Sequence, residues 1–201
     1  MMTRISTLAL SLLIAAASGC AAPAVYVQKK STRQSDQYTF YGFDFTRAQF
    51  ADGYFRHPDL VSGKIPRWNE RASSQTLAAL SPLVVAEDLG QSLRRNLGVP
   101  GTAVVSTARP WPAPPLGELM REISPYVDGG DGNGIVVFVE CLSKKEGVSA
   151  HTVVFDRKDG TVLLATQDSA GGDGFGIYDF YRRPLLTIAK RSARTLKDRL
   201  Q

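Results

Sequence analysis

The most regular hydrophobic pattern lies in the C-terminal half of the chain. Gly134 to Leu142 is apolar at nearly every position, which is typical of a strand buried on both faces at the centre of a sheet. Ser149 to Asp156 and Thr161 to Asp168 are rich in β-branched residues and flank the dipeptide Asp159-Gly160. Asp-Gly between two such runs is a strong signal for a β-hairpin. The pattern therefore predicts three consecutive strands.

Three other segments show the apolar repeat of an amphipathic helix. The first begins at Ser81-Pro82, a serine cap followed by a proline in the first turn, and ends at Leu97 before a glycine. The second spans Leu116 to Val127, and the third begins at Pro184. The apolar positions of the third helix are Leu185, Ile188, Ala189, Ala193, Leu196 and Leu200, and its basic positions are Lys190, Arg191, Arg194 and Lys197.

The N-terminal half is less regular. Tyr38 to Phe45 alternates aromatic with small or polar residues, which predicts a strand with one buried face. Thr102 to Thr107 predicts a short strand. Ala48 to Ser74 is interrupted by glycine and proline, so we expect an irregular loop, and long loops in compact domains are often functional.

This order of elements predicts the α/β class. We expect a single-domain sandwich over residues 38–201, with about three helices on a mixed, largely antiparallel sheet. The chain has 201 residues, of which 43% are hydrophobic and 21% charged. These are globular values, and they exclude a wholly disordered protein.

The first nineteen residues form a secretory leader. A basic start containing Arg4 precedes an apolar run from Ile5 to Ala17, and small residues follow it. This arrangement is typical of a signal peptide, and the apolar run is too short to cross a bilayer. We therefore expect residues 1–19 to be a signal peptide and residues 20–37, which are mostly polar, to be a tether.

The end of the leader, Ala17-Ser18-Gly19-Cys20, resembles the lipobox of bacterial lipoproteins. The resemblance implies that the Cys20 thiol receives a diacylglycerol, that the leader is cut before this residue and that the new amine is acylated. The next residue is Ala21 rather than aspartate, which by the same resemblance implies an outer-membrane protein facing the periplasm. The alternative is an ordinary secretory signal that is cut near Ala22, so that Cys20 is discarded.

A second resemblance concerns the domain. From about Leu83 onward, the order of strands and helices is similar to that of periplasmic lipoproteins related to the curli-secretion and TolB amino-terminal domains. The resemblance implies the sheet-and-helix fold, and it assigns a functional role to no residue of this chain.

Charge and cysteine content narrow the choice of partners. The formal net charge of +5 is modest, and no tract combines clustered Lys or Arg with aromatic residues, so we expect no nucleic-acid binding. The two cysteines are Cys20 and Cys141, and acylation of the first leaves no intramolecular disulfide. Cys141 follows an apolar run, which predicts a buried thiol.

No catalytic, metal or cofactor site is predicted. The sequence contains no G-x-S-x-G motif that would supply a serine nucleophile for His57 or His151 to activate. Neither histidine has ligand residues at the spacing of a zinc site. Gly129 to Gly134 and Gly171 to Gly176 resemble calcium repeats but carry glycine in place of the last aspartate, which indicates turns. Glu140, in the central strand, either faces a pocket or lies at the strand end, where it is paired with another side chain or hydrated.

Three function classes remain. The leading hypothesis is a non-enzymatic interaction or assembly component of the cell envelope, anchored in the outer membrane by acyl chains on Cys20 and bound to an envelope protein. The alternative is a periplasmic module that binds a lipid or an envelope fragment and uses Tyr38 to Trp68 as a lid. An envelope hydrolase ranks third. The basic face of the last helix is interpreted as a solvated surface, with contact to anionic lipid headgroups as the alternative.

Overall fold

The computed structural model describes residues 25–27, 37–51, 63–81, 84–99, 104–105, 116–144, 147–172 and 176–200. These residues contain eight strands: β1 Val25–Val27, β2 Tyr38–Asp44, β3 Gln49–Ala51, β4 Val84–Glu87, β5 Val104–Val105, β6 Asn133–Ser143, β7 Gly147–Asp156 and β8 Val162–Ala170. They also contain four α-helices, α1 Ile65–Leu80, α2 Gly90–Leu97, α3 Leu116–Ile123 and α4 Gly176–Leu200, and a 3-10 helix, Ser124–Tyr126.

All eight strands belong to one mixed sheet. Its main order is β1-β8-β7-β6-β2-β4, and β3 pairs with β6 and β5. The pairs β6–β7, β7–β8 and β1–β8 are antiparallel, whereas β2 is parallel to β6 and β4. The predicted α/β sandwich with an antiparallel C-terminal half is confirmed, although the described residues contain four helices rather than three.

The clearest sequence patterns are confirmed. Every residue of β6 is buried, as expected for a central strand. Strands β7 and β8 form the predicted hairpin, and Gly160 in its turn has a φ of 75°, a conformation that glycine adopts without strain. Strand β2 also forms where the aromatic alternation predicts a strand, but the expectation of a single buried face is wrong, because all seven of its residues are buried.

Helices cover both faces of the sheet. On one face, α1 and α4 pack on a large apolar core, which includes Phe43, Trp68 and Ile188. On the other face, α3 and the 3-10 helix pack on a smaller core, which includes Tyr41 and Phe138. The sheet is therefore the middle of three layers.

The prediction of an irregular loop from Ala48 to Ser74 is wrong at both of its ends. Gln49–Ala51 forms β3, and α1 begins at Ile65. Pro66 lies in the first turn of α1, where its missing N–H would have no helical partner in any case. Residues 52–62 of the predicted loop lie outside the described residues.

The predicted helix from Ser81 to Leu97 begins too early. Val84–Glu87 forms β4, which pairs in parallel with the start of β2, and α2 begins only at Gly90. A short β-branched run at the sheet edge thus overrides the helical repeat. Leu97, the last residue of the predicted helix, is an apolar residue that is 76% exposed.

Other element boundaries also differ from the predictions. Helix α3 ends at Ile123, and the 3-10 helix continues the predicted segment to Tyr126. Helix α4 begins at Gly176, so Pro184 lies inside it rather than at its start. Of the strand predicted from Thr102 to Thr107, the structure describes the two residues of β5.

The predicted signal peptide and Cys20 lie outside the described residues, as does His57. Strand β1 falls within the segment predicted as a tether and is paired with β8. Within the described part of the chain, no helix is long and apolar enough to span a membrane.

Candidate functional site

The first polar cluster lies where β2 ends. The carboxylate of Asp44 is fully buried and accepts hydrogen bonds from Arg95 Nε at 2.6 Å and from the Tyr126 hydroxyl at 2.7 Å. Its other oxygen accepts the N–H of Thr46 at 2.8 Å and the hydroxyl of the same residue. The buried charge is therefore compensated by a cation and by three further donors.

Ion pairs connect this carboxylate to the surface of α3. Arg95, from α2, lies 5.7 Å from the centre of the Tyr126 ring and 3.2 Å from Glu122 of α3. Arg47 contacts Glu118 at 2.5 Å and Glu122 at 3.5 Å. Burial, and then the charge and hydrogen bond of Asp44, raise the pKa of Tyr126, so the phenol stays neutral. The cluster thus ties α2, α3 and the 3-10 helix to the end of β2.

Two asparagines take the place of a neighbouring strand beside β2. The Asn96 side chain accepts the N–H of Phe45 at 2.7 Å and donates to the carbonyl of Phe43 at 2.8 Å. Asn69 accepts the N–H of Phe43 at 2.8 Å. Gly42 has a φ of 87°, and a Cβ there would lie 2.6 Å from the Asn69 oxygen, so glycine is required for this approach. The edge of β2 is satisfied by side chains from α1 and α2.

A second cluster surrounds Asp128, before the first glycine-rich loop. Its carboxylate accepts Arg157 at 2.6 Å, the Tyr41 hydroxyl at 2.9 Å and the N–H of Gly130 at 2.9 Å. Burial, and then the hydrogen bond to Asp128, raise the pKa of Tyr41 to about 12. Gly129 and Gly132 have φ values of 75° and 90°, which confirms the predicted turn. These contacts fix the loop against the β7–β8 turn.

The third feature is a buried pair, Glu140 and His151. Glu140 lies where the β6–β7 register shifts, at a β-bulge between Val139 and Cys141. His151 Nδ1 is 2.6 Å from Glu140 Oε1, and both side chains are almost fully buried. In the described part of the chain, Glu140 Oε2 and both His151 nitrogens lack a partner in hydrogen-bond geometry. The contact is therefore a close electrostatic one rather than a well-aligned hydrogen bond.

The structure brings some of the sequence candidates together. Glu140 and His151, which lie eleven positions apart in the sequence, are brought into contact by the pairing of β6 with β7. Cys141 is buried, as predicted. Among the described residues, no group of three His, Cys, Asp or Glu side chains is placed to hold a metal ion. The Asp44 cluster was missed, since its members are up to 82 residues apart in the chain.

Comparison of this chain with known proteins finds little similarity. No family model matches the chain, and no curated protein matches it. Among solved structures, a PelC dodecamer from Paraburkholderia phytofirmans is similar at a TM-score of 0.35 and 12% identity, over 85% of this chain and 97% of that chain. A PelC point variant from the same organism has a TM-score of 0.34 and 13% identity, over 87% and 94% of the two chains. At this level, the likeness carries no argument on function.

Proposed function

We propose that the chain is an outer-membrane lipoprotein, anchored at Cys20 and facing the periplasm, that acts as a non-enzymatic interaction or assembly component of the envelope. The lipobox Ala17-Ser18-Gly19-Cys20 at the end of a secretory leader carries this proposal. Two or more acyl chains on one cysteine give stable anchoring, whereas a single chain binds only marginally. Ala21 after the cysteine favours the outer membrane over the inner one.

The arrangement of charged side chains supports a structural rather than a catalytic role. Asp44 is saturated by donors from its own fold, and Asp128 is engaged by Arg157 and Tyr41. A general base or nucleophile must reach a substrate, and these carboxylates instead join helices and loops to the sheet. Such networks make a rigid platform, which suits a protein that presents its surface to a partner.

The alternative of a ligand-binding module that uses Tyr38 to Trp68 as a lid is weakened at the two ends of this segment, whereas residues 52–62 between them lie outside the described residues. Tyr38, Phe43, Phe45 and Trp68 are buried in the core between the sheet and its helices. Phe45 and Trp68 lie with ring centres 6.2 Å apart, and Trp68 also contacts the ring of Tyr181. Aromatic residues packed in this way stabilise the domain and are not available to close over a ligand.

Crosslinking in intact cells tests the proposal. Wild-type chain and the variants Cys20→Ser and Glu140→Gln/His151→Gln are treated with a short crosslinker, and the products are captured and identified. We expect one defined envelope partner with the wild type, and we expect it to be lost or weakened when the anchor is removed. The Glu140/His151 variant should retain the partner, because a non-enzymatic role does not require these two side chains. A wild-type chain without any specific crosslinked partner would contradict an assembly role.

A further inference from the structure

The first strand fixes where an anchor at Cys20 is attached to the domain. Strand β1 pairs antiparallel with β8, with Val25 opposite Thr166 and Val27 opposite Leu164. Val25 lies five positions after Cys20 in the sequence. Because an extended chain spans at most about 3.6 Å per residue, Cys20 lies within about 18 Å of the start of β1. An anchored domain is therefore held close to the bilayer at this edge of the sheet.

The antiparallel pairing of β1 shows which end of β8 lies beside the point where the chain enters β1. Since the two strands are antiparallel, the chain that enters β1 at Val25 comes from the side of Ser169 and Ala170. A strand rises about 3.4 Å per residue, so Ser169 lies about 10 Å beyond Thr166 along β8. The chain therefore enters β1 beside the C-terminal half of β8, within reach of an anchor at Cys20.

A basic helix face lies at this same end. Arg191 of α4 donates a 2.7 Å hydrogen bond to the carbonyl oxygen of Ser169. Lys190 and Arg194 lie on the same side of the helix as Arg191, and all three side chains are exposed. The acidic residues described on or beside this face are Asp168, which interacts with Arg191, and exposed Asp198. The face therefore keeps a positive charge.

The opposite side of α4 holds these cations in place. Ile188, Ala189, Ala193 and Leu196 are buried in the core between α4 and the sheet. In addition, Ser192 lies 2.8 Å from Thr152 of β7, with their hydroxyl groups in hydrogen-bond contact. Because the helix is docked along this side, its basic residues project away from the sheet, close to the C-terminal end of β8.

We infer that Lys190, Arg191 and Arg194 bind the anionic lipid headgroups of the bilayer in which the domain is anchored. The position of that bilayer rests on the lipidation proposed above, whereas headgroup binding itself needs only the three side chains. A Lys or Arg close to an anionic surface strengthens binding by about fivefold. Removal of all three should therefore weaken binding to an anionic membrane by about 100-fold.

Vesicle co-sedimentation tests this inference without the anchor. The chain from residue 20 with Cys20→Ser is mixed with vesicles of phosphatidylcholine, alone or in an equal mixture with phosphatidylglycerol. We expect binding to the anionic vesicles only, and a loss of about 100-fold in the variant Lys190→Gln/Arg191→Gln/Arg194→Gln. The matched control Arg94→Gln/Arg121→Gln/Lys158→Gln removes the same charge from exposed positions on α2, α3 and the β7–β8 turn.

The control variant should keep its affinity, and the melting temperatures of both variants show that each is folded. Equal losses in the two triple variants would overturn the inference, since only net charge would then matter. Equal wild-type binding to neutral and anionic vesicles would overturn it as well. A chain that binds through this face but carries no lipid in cells would contradict the proposed anchor and leave the headgroup surface established.

Discussion

His151 Nδ1 lies 2.6 Å from Glu140 Oε1, on two neighbouring strands and in almost complete burial. Removing polar groups from water is costly, and a contact between them repays this only when further hydrogen bonds complete the arrangement. In the part of the chain that the structure describes, Glu140 Oε2 and His151 Nε2 have no such bonds. The pair therefore contributes little net stability. Loss of one partner, however, leaves the other buried without a compensating contact, which is destabilising.

A double-mutant cycle tests this balance. His151→Leu alone leaves the buried carboxyl group of Glu140 without its partner, and we expect the free energy of unfolding to fall by about 1–3 kcal/mol. Glu140→Met/His151→Leu removes both polar groups and should recover most of that loss. Urea denaturation of the single and double variants measures the coupling. Additive losses would show that the two side chains do not depend on each other.

The Asn96 side chain is expected to be indispensable for the edge of β2. Asn96→Ala leaves the N–H of Phe45 and the carbonyl of Phe43 without their partners. Each buried unsatisfied group costs about 1–3 kcal/mol, so the variant should be strongly destabilised in urea. Arg94→Ala, two positions away on α2 and exposed, is the matched control and should change stability little. Similar losses in the two variants would contradict this role of Asn96.

Stability should decline in alkali because of Tyr41. Burial and the hydrogen bond to Asp128 raise its pKa from 10.0 to about 12. The unfolded chain therefore loses this proton first as the pH rises, so the contribution is complete below about pH 10 and is lost towards about pH 12. Urea midpoints measured across this window should fall less steeply for Tyr41→Phe than for the wild type. Identical pH profiles would show that Tyr41 is not the group responsible.

The two faces of α4 should respond differently to truncation. Leu196 is buried against the sheet, whereas Arg194 is exposed. A buried leucine truncated to alanine typically costs about 2–5 kcal/mol, including the cavity that it leaves. We expect Leu196→Ala to lower the melting temperature clearly and Arg194→Ala to leave it nearly unchanged. If both variants melt alike, the helix is not docked through its apolar face.

The sequence predicts those elements whose signal is local and unambiguous. The uninterrupted apolar run of β6 and the Asp159-Gly160 turn identify the centre of the sheet and its hairpin correctly. The same reasoning fails at β4, because Val84 and its neighbours fit either a helical repeat or a short strand. Only the pairing of β4 with β2 decides between the two.

The polar clusters are harder to predict for a different reason. Taken singly, Asp44 and Arg95 are of residue types that are mostly exposed, and Tyr126 is of a type found in either environment. In addition, 51 and 82 positions of chain separate Asp44 from Arg95 and Tyr126. Their meeting depends on how α2 and the 3-10 helix lie against the end of β2. The contact between Glu140 and His151 is easier to predict, since ionisable residues in two paired central strands need polar partners.

The anchor at Cys20 is the central claim, and the mass of the intact protein extracted from membranes tests it most directly. The resemblance of Ala17-Ser18-Gly19-Cys20 to a lipobox predicts a chain that begins at Cys20 and carries a thioether-linked diacylglycerol and an amide-linked acyl chain. Cys20→Ser should abolish these additions and leave the leader uncleaved or the protein unattached. A wild-type chain that begins near Ala22, without lipid, would contradict the anchor and with it the proposed place of the domain at the outer membrane.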